Sequence, residues 1–538
     1  MAYSTTPLDL LAREIRLLYI QPGVWEDEIF CSLSAVPLEA EPRYDALSYA
    51  WGDSNITLPV MINNSPFKVT TTVWSALRRL RQKRDTRVIW IDQICIDQGN
   101  DAEKTHQVNM MAEIYKSAQH VWIWFGDEEE TEERGFYERP LTVEEASSNF
   151  KLHEIRRKEA QRHWAHRLWM KMRSQTCHDW EALSLALDFI TSVAEDKHFY
   201  ETPHFKLNGR KTGVFQDLFR GLRLLADRTW WTRVWVVQET CLASSATVVL
   251  GSRAVPFALL EHWCRNWLHH VNRNCCRSIW LKMRRDVADV TAGAKLHDSI
   301  RTISRCKGNE DRSLLGCLWI TRSMKSKDRR DKVYGLLGLL NQESYPISPD
   351  YSLPVLEVYT KVVKAHIGMH ANLDFLSNLV PGPPEFPSWV PDWSRRSLKA
   401  IGYGWFHEGF GTWEEETNAA IDESGKVLSV DGILLDTVSW SSINHIGRNS
   451  SYGDIFLAIE EFHRALVRRG SLDCEYIMGK KIVSAAETWT STIDHLIWKQ
   501  GFQPAIKPLN TGSFPTSRLV SNRGSYLALG QEQPDLEE

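Results

Sequence analysis

The stretch Val88-Ile-Trp-Ile-Asp-Gln-Ile-Cys-Ile-Asp-Gln98, continued as Val121-Trp-Ile-Trp-Phe-Gly126, decides the fold. Its first four residues, 88–91, are apolar and end at Asp92, which is typical of a short strand buried on both faces. Residues 121–125 predict a second strand of the same kind. Because a crossover helix joins them, we expect two parallel strands that are neighbours in the sheet.

The segment between these strands predicts an amphipathic helix. Asn100 is typical of a helix N-cap, and Glu103 three residues later predicts a capping box. One helix face is apolar at helical spacing: Val108, Met111, Ala112 and Tyr115. Glu103 and Gln107 lie in the first turns of a second helix face, which continues with the apolar residues Met110 and Ile114. They are interpreted either as helix capping at a solvated end or as part of a polar pocket.

Polar side chains cluster where the strands end. Ligands of open parallel sheets bind outside the carboxyl ends of the strands. The residues predicted at this edge are Asp92, Gln93, Cys95, Asp97, Gln98, Glu103 and Asp127. A third buried strand in Tyr44-Asp-Ala-Leu-Ser-Tyr-Ala-Trp-Gly52 would bring Tyr49, Trp51 and Gly52 to the same edge if it is parallel to the others.

Composition excludes several classes of protein. The formal net charge of −4 gives no electrostatic case for nucleic-acid binding. No apolar run approaches the roughly 18 residues of a membrane span, and residues 1–7 lack the features of a secretory signal. The ten cysteines form no Cys-x-x-Cys pair, which favours reduced thiols in the cytosol or nucleus, and of these we expect a cytoplasmic location.

The order of patterns along the chain predicts several segments. Residues 15–250 are predicted as one α/β domain with a core at 44–241 and a variable insertion at about 127–215, which we expect can be shortened without unfolding. The insertion begins with an acidic run and includes a predicted basic helix at 154–172. The segments predicted after it are 251–395, mostly helical; 396–505, a small α+β segment; and 506–538, a disordered tail.

Known site motifs give little further direction. Neither His163-x-x-His166 nor His269-His270 with Cys275-Cys276 has the paired spacing of a structural zinc site, so no metal is predicted. There is no phosphate-binding glycine loop. Cys95 with His106 remains an alternative nucleophile pair, against the interpretation of Cys95 as a buried structural residue.

Glu239 is the carboxylate that the pattern singles out. If 229–241 is helical, Trp231, Trp235 and Glu239 lie in one stripe at i, i+4 and i+8. Partial desolvation there would raise the pKa of Glu239, and perturbed acids are candidates for function. The alternative is an ordinary ion pair with Arg228 or Arg233, or a solvated helix end.

Three blocks together resemble the fungal heterokaryon incompatibility (HET) domain. They are residues 44–52, residues 90–98 with Glu103 and Gln107, and residues 228–239. Downstream segments 328–339, 349–351 and 387–394 are similar to those that usually follow this domain. The chain departs from the family at Asp97, where Asn is more frequent, and after about 450, where helices are predicted in place of a β-rich segment.

The resemblance implies a role in self/non-self recognition and programmed cell death. HET domains are in turn similar to TIR domains, which implies a TIR/flavodoxin-like, mainly parallel sheet flanked by helices. In TIR NAD hydrolases the glutamate that matches Glu239 is catalytic. The resemblance therefore implies NAD as a substrate and no required cofactor.

The candidate ligand-binding residues are Tyr49, Trp51, Gly52, Asp92, Cys95, Asp97, Gln98, Glu103, Gln107 and Trp235. From their place at the strand ends, we expect Tyr49, Trp51, Gly52, Asp92, Asp97, Gln98 and Glu103 to line one cleft together with Glu239. Expected partners are an incompatibility partner protein or further copies of the chain, with no nucleic acid and no membrane span. The alternative function is a non-catalytic signalling module that acts by self-assembly or by docking a partner protein.

Overall fold

The computed structural model describes residues 2–127, 179–202, 213–272, 274–286, 291–307, 313–340, 345–370, 373–378, 383, 385–395, 419–422 and 425–430. The strands within these ranges are β1 Glu14–Ile20, β2 Phe30–Pro37, β3 Asp45–Tyr49, β4 Thr57–Ile62, β5 Ser65–Thr70, β6 Arg87–Trp90, β7 His120–Trp124, β8 Ala246–Leu250, β9 Arg253–Pro256, β10 Ala419–Ile421 and β11 Leu428–Val430.

The α-helices in the same ranges are α1 Ala2–Thr5, α2 Thr71–Leu80, α3 Asp92–Cys95, α4 Asp101–Ser117, α5 Asp179–Ala194, α6 Gly213–Ala226, α7 Val236–Cys241, α8 Phe257–Asn272, α9 Asn274–Asp286, α10 Thr291–Lys307, α11 Leu314–Ile320, α12 Asp331–Leu337 and α13 Val355–His370. None of them combines the length and apolar character that crossing a bilayer requires.

The first nine strands form one sheet in the order β5-β4-β2-β1-β6-β3-β7-β8-β9. Its centre, β6-β3-β7-β8, is parallel, as predicted. The prediction that strands 88–92 and 121–125 are neighbours is wrong, because β3 lies between β6 and β7 and pairs with both. Apolar periodicity identifies buried strands, but it carries no information on their order across the sheet. The connection through α4 therefore joins β6 to β7 across the intervening strand β3.

Antiparallel pairs flank this parallel centre. β1 is antiparallel to both β2 and β6, and β4-β5 and β8-β9 are also antiparallel pairs. Connections of a few residues, such as Gly251 and Ser252 between β8 and β9, can only join antiparallel strands. The α/β fold class is therefore confirmed, with a mixed sheet whose parallel part carries the strand ends of interest.

Helix α4 begins where the sequence predicts. The side chain of Asn100 accepts a hydrogen bond from the backbone N–H of Glu103 at 3.1 Å. The second half of the capping box is absent, because the Glu103 carboxylate turns instead to the guanidinium of Arg16. The segment after β6, predicted as a loop, contains one helical turn, α3. Its four residues are too few to show a helical apolar pattern in the sequence.

Part of the predicted insertion belongs to the core. Helix α5 buries Leu183, Ala186 and Ile190, and α6 lies so close to it that a Cβ on Gly221 would meet the carbonyl oxygen of Ala182 at 1.9 Å. Removing α5 would expose this apolar face, at about 25 cal/mol per Å². The prediction that the insertion can be shortened therefore applies only to residues 128–178. These residues lie outside the described part of the chain.

The chain divides into two compact units. The first contains residues 1–369 and 392–395, and the second contains 370–391 and 396–538. The first unit includes the nine-stranded sheet, β1 to β9, and the helices from α1 through most of α13. In the second, β10 pairs antiparallel with β11. The helices predicted at 154–172, 454–469 and 480–499, His163-x-x-His166, and the tail from 506 lie outside the described residues.

Candidate functional site

Glu239 faces the carboxyl end of the central strand β3. It lies on α7, and its carboxylate accepts a hydrogen bond from the hydroxyl of Ser48. The same hydroxyl oxygen accepts the indole N–H of Trp230 at 2.8 Å. Glu239 is only 2% exposed, so its carboxylate lies within the protein interior at the end of the parallel sheet.

Burial raises the pKa of Glu239 to about 7. The positive charge of Arg233 and the Ser48 hydrogen bond partly offset this effect, and the negative charge of Asp92 adds to it. The predicted direction of the shift is confirmed. A carboxyl group with a pKa near neutrality can be present in either protonation state, which suits it to proton transfer or to stabilising a developing positive charge.

The tryptophan stripe that led to Glu239 does not exist as predicted. Residues Thr229–Thr232 form a 3-10 helix, and the chain is extended at Arg233 before α7 begins. The indole N–H of Trp231 therefore bonds the carbonyl of Leu225, away from Glu239. The indole that joins the carboxylate network is instead that of Trp230, which donates to the Ser48 hydroxyl.

A second polar cluster lies just beyond the ends of β3 and β6. One oxygen of Asp92 accepts the hydroxyl of Tyr49 at 2.6 Å, and the other accepts the indole N–H of Trp51 at 2.8 Å. The side-chain amide of Gln98 donates to the backbone carbonyl of Asp92 at 2.9 Å. The structure thus brings together four of the residues predicted at this edge.

Arg233 connects the two clusters electrostatically. Its positive charge lowers the pKa of Glu239, and it also opposes the burial that raises the pKa of Tyr49. The side chain is half-buried, and among the described residues no carboxylate lies within 4.0 Å of its guanidinium. From the sequence, Arg233 is expected only as an ion-pair partner of Glu239. Its position at the end of the Trp-Trp-Thr-Arg block is the signal that could have marked it.

Glu103 and Gln107 make structural contacts. Both oxygens of Glu103 pair with Arg16, at 2.5 and 3.0 Å, and one also accepts the backbone N–H of Asp97 at 2.7 Å. Burial raises the pKa of Glu103, but the hydrogen bonds from Arg16 and Asp97 outweigh it and lower the pKa overall. Gln107 donates to the backbone carbonyl of Glu14 at 2.8 Å. These contacts hold α4 against β1.

Cys95 is a buried structural residue. Its sulfur accepts the backbone N–H of Ile91 at 3.3 Å, and burial raises the pKa of the thiol to about 12. A thiol with such a pKa is protonated at neutral pH and is a poor nucleophile. His106 lies beside Gln107, with ring and amide nitrogens 3.3 Å apart. The interpretation of Cys95 as structural therefore explains the observations better than a Cys–His pair.

Gly52 and Trp235 occupy positions with clear physical constraints. Gly52 has a φ of +72°, and a Cβ there would lie 2.6 Å from the Thr72 hydroxyl oxygen, so the turn after β3 requires glycine. Trp235 is half-buried and hydrogen-bonds the carboxylate of Asp331. Trp235 therefore attaches the start of α7 to α12.

The two polar clusters lie at the carboxyl ends of the parallel strands β3 and β6 of an α/β domain, which is where ligands of open α/β sheets bind. Residues 44–239 match the family model described as Heterokaryon incompatibility protein (HET), and this part of the chain is a HET domain. Both the Ser48–Glu239 network and the Asp92 cluster lie within the matched residues.

The chain is also similar to heterokaryon incompatibility protein 6, OR allele, of Neurospora crassa. The two are 24% identical over 441 residues, which cover 74% of this chain and 60% of the relative. The chain thus matches about three fifths of the relative's length. No solved structure is significantly similar to it.

Proposed function

We propose that the chain is a heterokaryon incompatibility-type effector of self/non-self recognition and cell death, and that its HET domain cleaves NAD at Glu239. The HET domain at 44–239 and the name of the Neurospora relative support the biological role. The observation that carries the chemical role is a carboxylate that is buried, held by Ser48, and has a pKa of about 7.

The reaction breaks the bond between the ribose anomeric carbon and the nicotinamide nitrogen. The bonding electron pair leaves with nicotinamide, and positive charge develops on the ribose as in glycoside hydrolysis. The ionised carboxylate of Glu239 would stabilise that charge. Water then adds to the anomeric carbon and releases a proton, which gives ADP-ribose and free nicotinamide.

Arg233 is suited to hold the diphosphate of the same substrate. A guanidinium offers paired N–H donors that match phosphate oxygens, and this one is half-buried and free of a carboxylate among the described residues. The hydrogen bonds of Asp92 to Tyr49 and Trp51 fix two aromatic side chains nearby. Tyr49 is buried, and Trp51, which is half-buried, offers a flat apolar surface to a planar base.

A second candidate function is a non-catalytic module that acts by assembly. The 2% exposure of Glu239 favours it, because a carboxylate enclosed in this way also suits a purely structural hydrogen-bond network. In that case Glu239 would affect stability, and NAD would not be consumed.

The full chain, purified under reducing conditions, tests the proposal by incubation with NAD, with and without a crowding agent, and by chromatography of the products. The expected result is equal release of nicotinamide and ADP-ribose, with a KM for NAD raised at least about tenfold by Arg233→Gln, since charged hydrogen bonds contribute about 1.5–3 kcal/mol. Arg13→Gln, which removes an exposed pair with Glu113, is the matched control. Absence of nicotinamide release in every condition, with a folded protein, would leave the assembly module as the better account.

A further inference from the structure

Four metal-ligating side chains lie together outside the Glu239 site. His198, His270, Cys275 and Cys276 each offer one atom, and these atoms all lie within 4.8 Å of one another. His198 follows α5, His270 lies in the last turn of α8, and the two cysteines lie in the first turn of α9. His269-His270 with Cys275-Cys276 lacks the paired spacing of a zinc site in the sequence because the second histidine, His198, is 72 residues upstream of His270.

The separations fit a single tetrahedral ion. The Nδ1 atom of His270 lies 3.6 Å from the sulfur of Cys275 and 3.5 Å from that of Cys276, and the Nδ1 atom of His198 lies 3.6 Å from the latter sulfur. Zinc bonds of about 2.3 Å to sulfur and 2.0–2.1 Å to nitrogen, at tetrahedral angles, place such atoms about 3.6 Å apart.

Two further contacts have the form found around zinc sites. The other ring nitrogen of His270, Nε2, lies 3.2 Å from a carboxylate oxygen of Asp196, which would fix the ring with Nδ1 toward the sulfurs. The backbone N–H of Phe199 donates to the sulfur of Cys276 at 3.4 Å. Such a donor stabilises a thiolate, which is the form of cysteine that binds metal.

We propose that His198, His270, Cys275 and Cys276 bind one zinc ion in a structural site. Two thiolates and two neutral imidazoles form a closed four-coordinate set, which leaves no position for a substrate. Binding releases the thiol protons to solvent, and no redox step is involved. The site is independent of the NAD proposal, since none of its ligands contacts Ser48, Glu239 or Asp92 in the described structure.

The ion would fasten the segment after α5 to the junction of α8 and α9. The protein already joins these parts by a hydrogen bond from Asn266 of α8 to the carbonyl of Val193 in α5. A metal at the adjacent turn would hold in place the core helix of the predicted insertion. Loss of zinc should therefore loosen α5 before it affects the central sheet.

Metal analysis of the full chain tests this site. The protein is purified with a thiol reductant, and zinc per chain is measured by mass spectrometry in the wild type, Cys276→Ser, His198→Asn and the control Cys264→Ser. Cys264 is a buried thiol on α8 whose sulfur contacts the carbonyl of His297. We expect one zinc per chain in the wild type and the control, and little in the other two. His198→Asn decides the outcome if Cys276→Ser does not fold, because His198 is only half-buried.

Cobalt provides the spectroscopic test. After chelation, the wild type should take up one Co²⁺ per chain and show the thiolate-to-cobalt charge-transfer band and the visible bands of tetrahedral cobalt. Its melting temperature should fall on chelation and recover with zinc. The proposal is overturned if the wild type takes up neither metal, or if the site variants bind as much as Cys264→Ser.

Discussion

The hydroxyl of Ser48 donates a hydrogen bond to the carboxylate of Glu239, 191 residues further along the chain. It does so while accepting the indole N–H of Trp230, so its own orientation is fixed. One serine on the central strand therefore sets the position of the carboxylate and, through the hydrogen bond, lowers the pKa that burial has raised.

Replacing Ser48 by Ala should raise the pKa of Glu239 above its present value of about 7. The hydrogen bond that favours the ionised carboxylate is lost, and burial is unchanged. If NAD cleavage needs the ionised form, the rising limb of the pH–rate profile should move to higher pH. Stability should fall by about 1–3 kcal/mol, because the buried indole N–H of Trp230 loses its acceptor.

Ser75→Ala is the control for this change. Among the described residues its hydroxyl bonds the carbonyl of Thr72 within α2, at 3.1 Å, and no group of the Glu239 site, so the pH–rate profile should stay in place. A Ser48→Ala profile that coincides with that of Ser75→Ala would contradict the role assigned to Ser48.

Glu239→Gln should stabilise the fold at high pH. Because the folded pKa of this acid is raised from 4.5 to about 7, the folded state binds its proton more tightly than the unfolded state. Its contribution to stability is therefore greatest below the unfolded pKa and is lost as pH rises to 7. Above pH 7 the buried charge costs about 3 kcal/mol, and neutral Gln avoids that cost.

Melting temperatures at pH 5 and pH 8 measure this effect. The wild type and Glu239→Gln should differ little at pH 5, and the variant should melt at a higher temperature at pH 8. A variant that melts no higher than the wild type at pH 8 would contradict the raised pKa of Glu239.

Glu103→Gln should mainly affect stability. Arg16 is buried against Glu103, and breaking a buried ion pair typically costs about 3–5 kcal/mol. Glu113→Gln on the same helix removes an exposed pair with Arg13 and should cost about 0–1 kcal/mol. Urea unfolding compares the two. A Glu103→Gln protein of normal stability with a raised KM for NAD would restore Glu103 to the ligand site.

The local patterns predicted a good part of the fold. The apolar runs 88–91 and 121–125 and the N-cap at Asn100 identified two parallel strands and the helix between them, because each signal lies within a few residues. The place of β3 between those strands depends on lateral pairing, which period-2 or apolar-run patterns do not encode.

Long-range partners explain most of what the sequence missed at the site. Glu239 is singled out as a candidate in the sequence through a tryptophan stripe that the extended backbone at Arg233 interrupts. The actual partner of Glu239 is Ser48, which lies 191 residues earlier in the chain. Likewise, Glu103 pairs with Arg16, which lies 87 residues earlier. A side chain's polarity shows that it needs a partner, and only the folded chain shows which one it has.

Nicotinamide release by wild type, Glu239→Gln and Glu239→Asp, at saturating NAD and pH 8, tests the central claim most directly. Gln keeps the size and loses the negative charge, so the rate should fall by about 10²–10³ while the melting temperature at this pH does not fall. Asp keeps the charge at a shorter reach and should retain partial activity. A folded Glu239→Gln protein that releases nicotinamide at the wild-type rate would contradict the assignment of the reaction to this carboxylate.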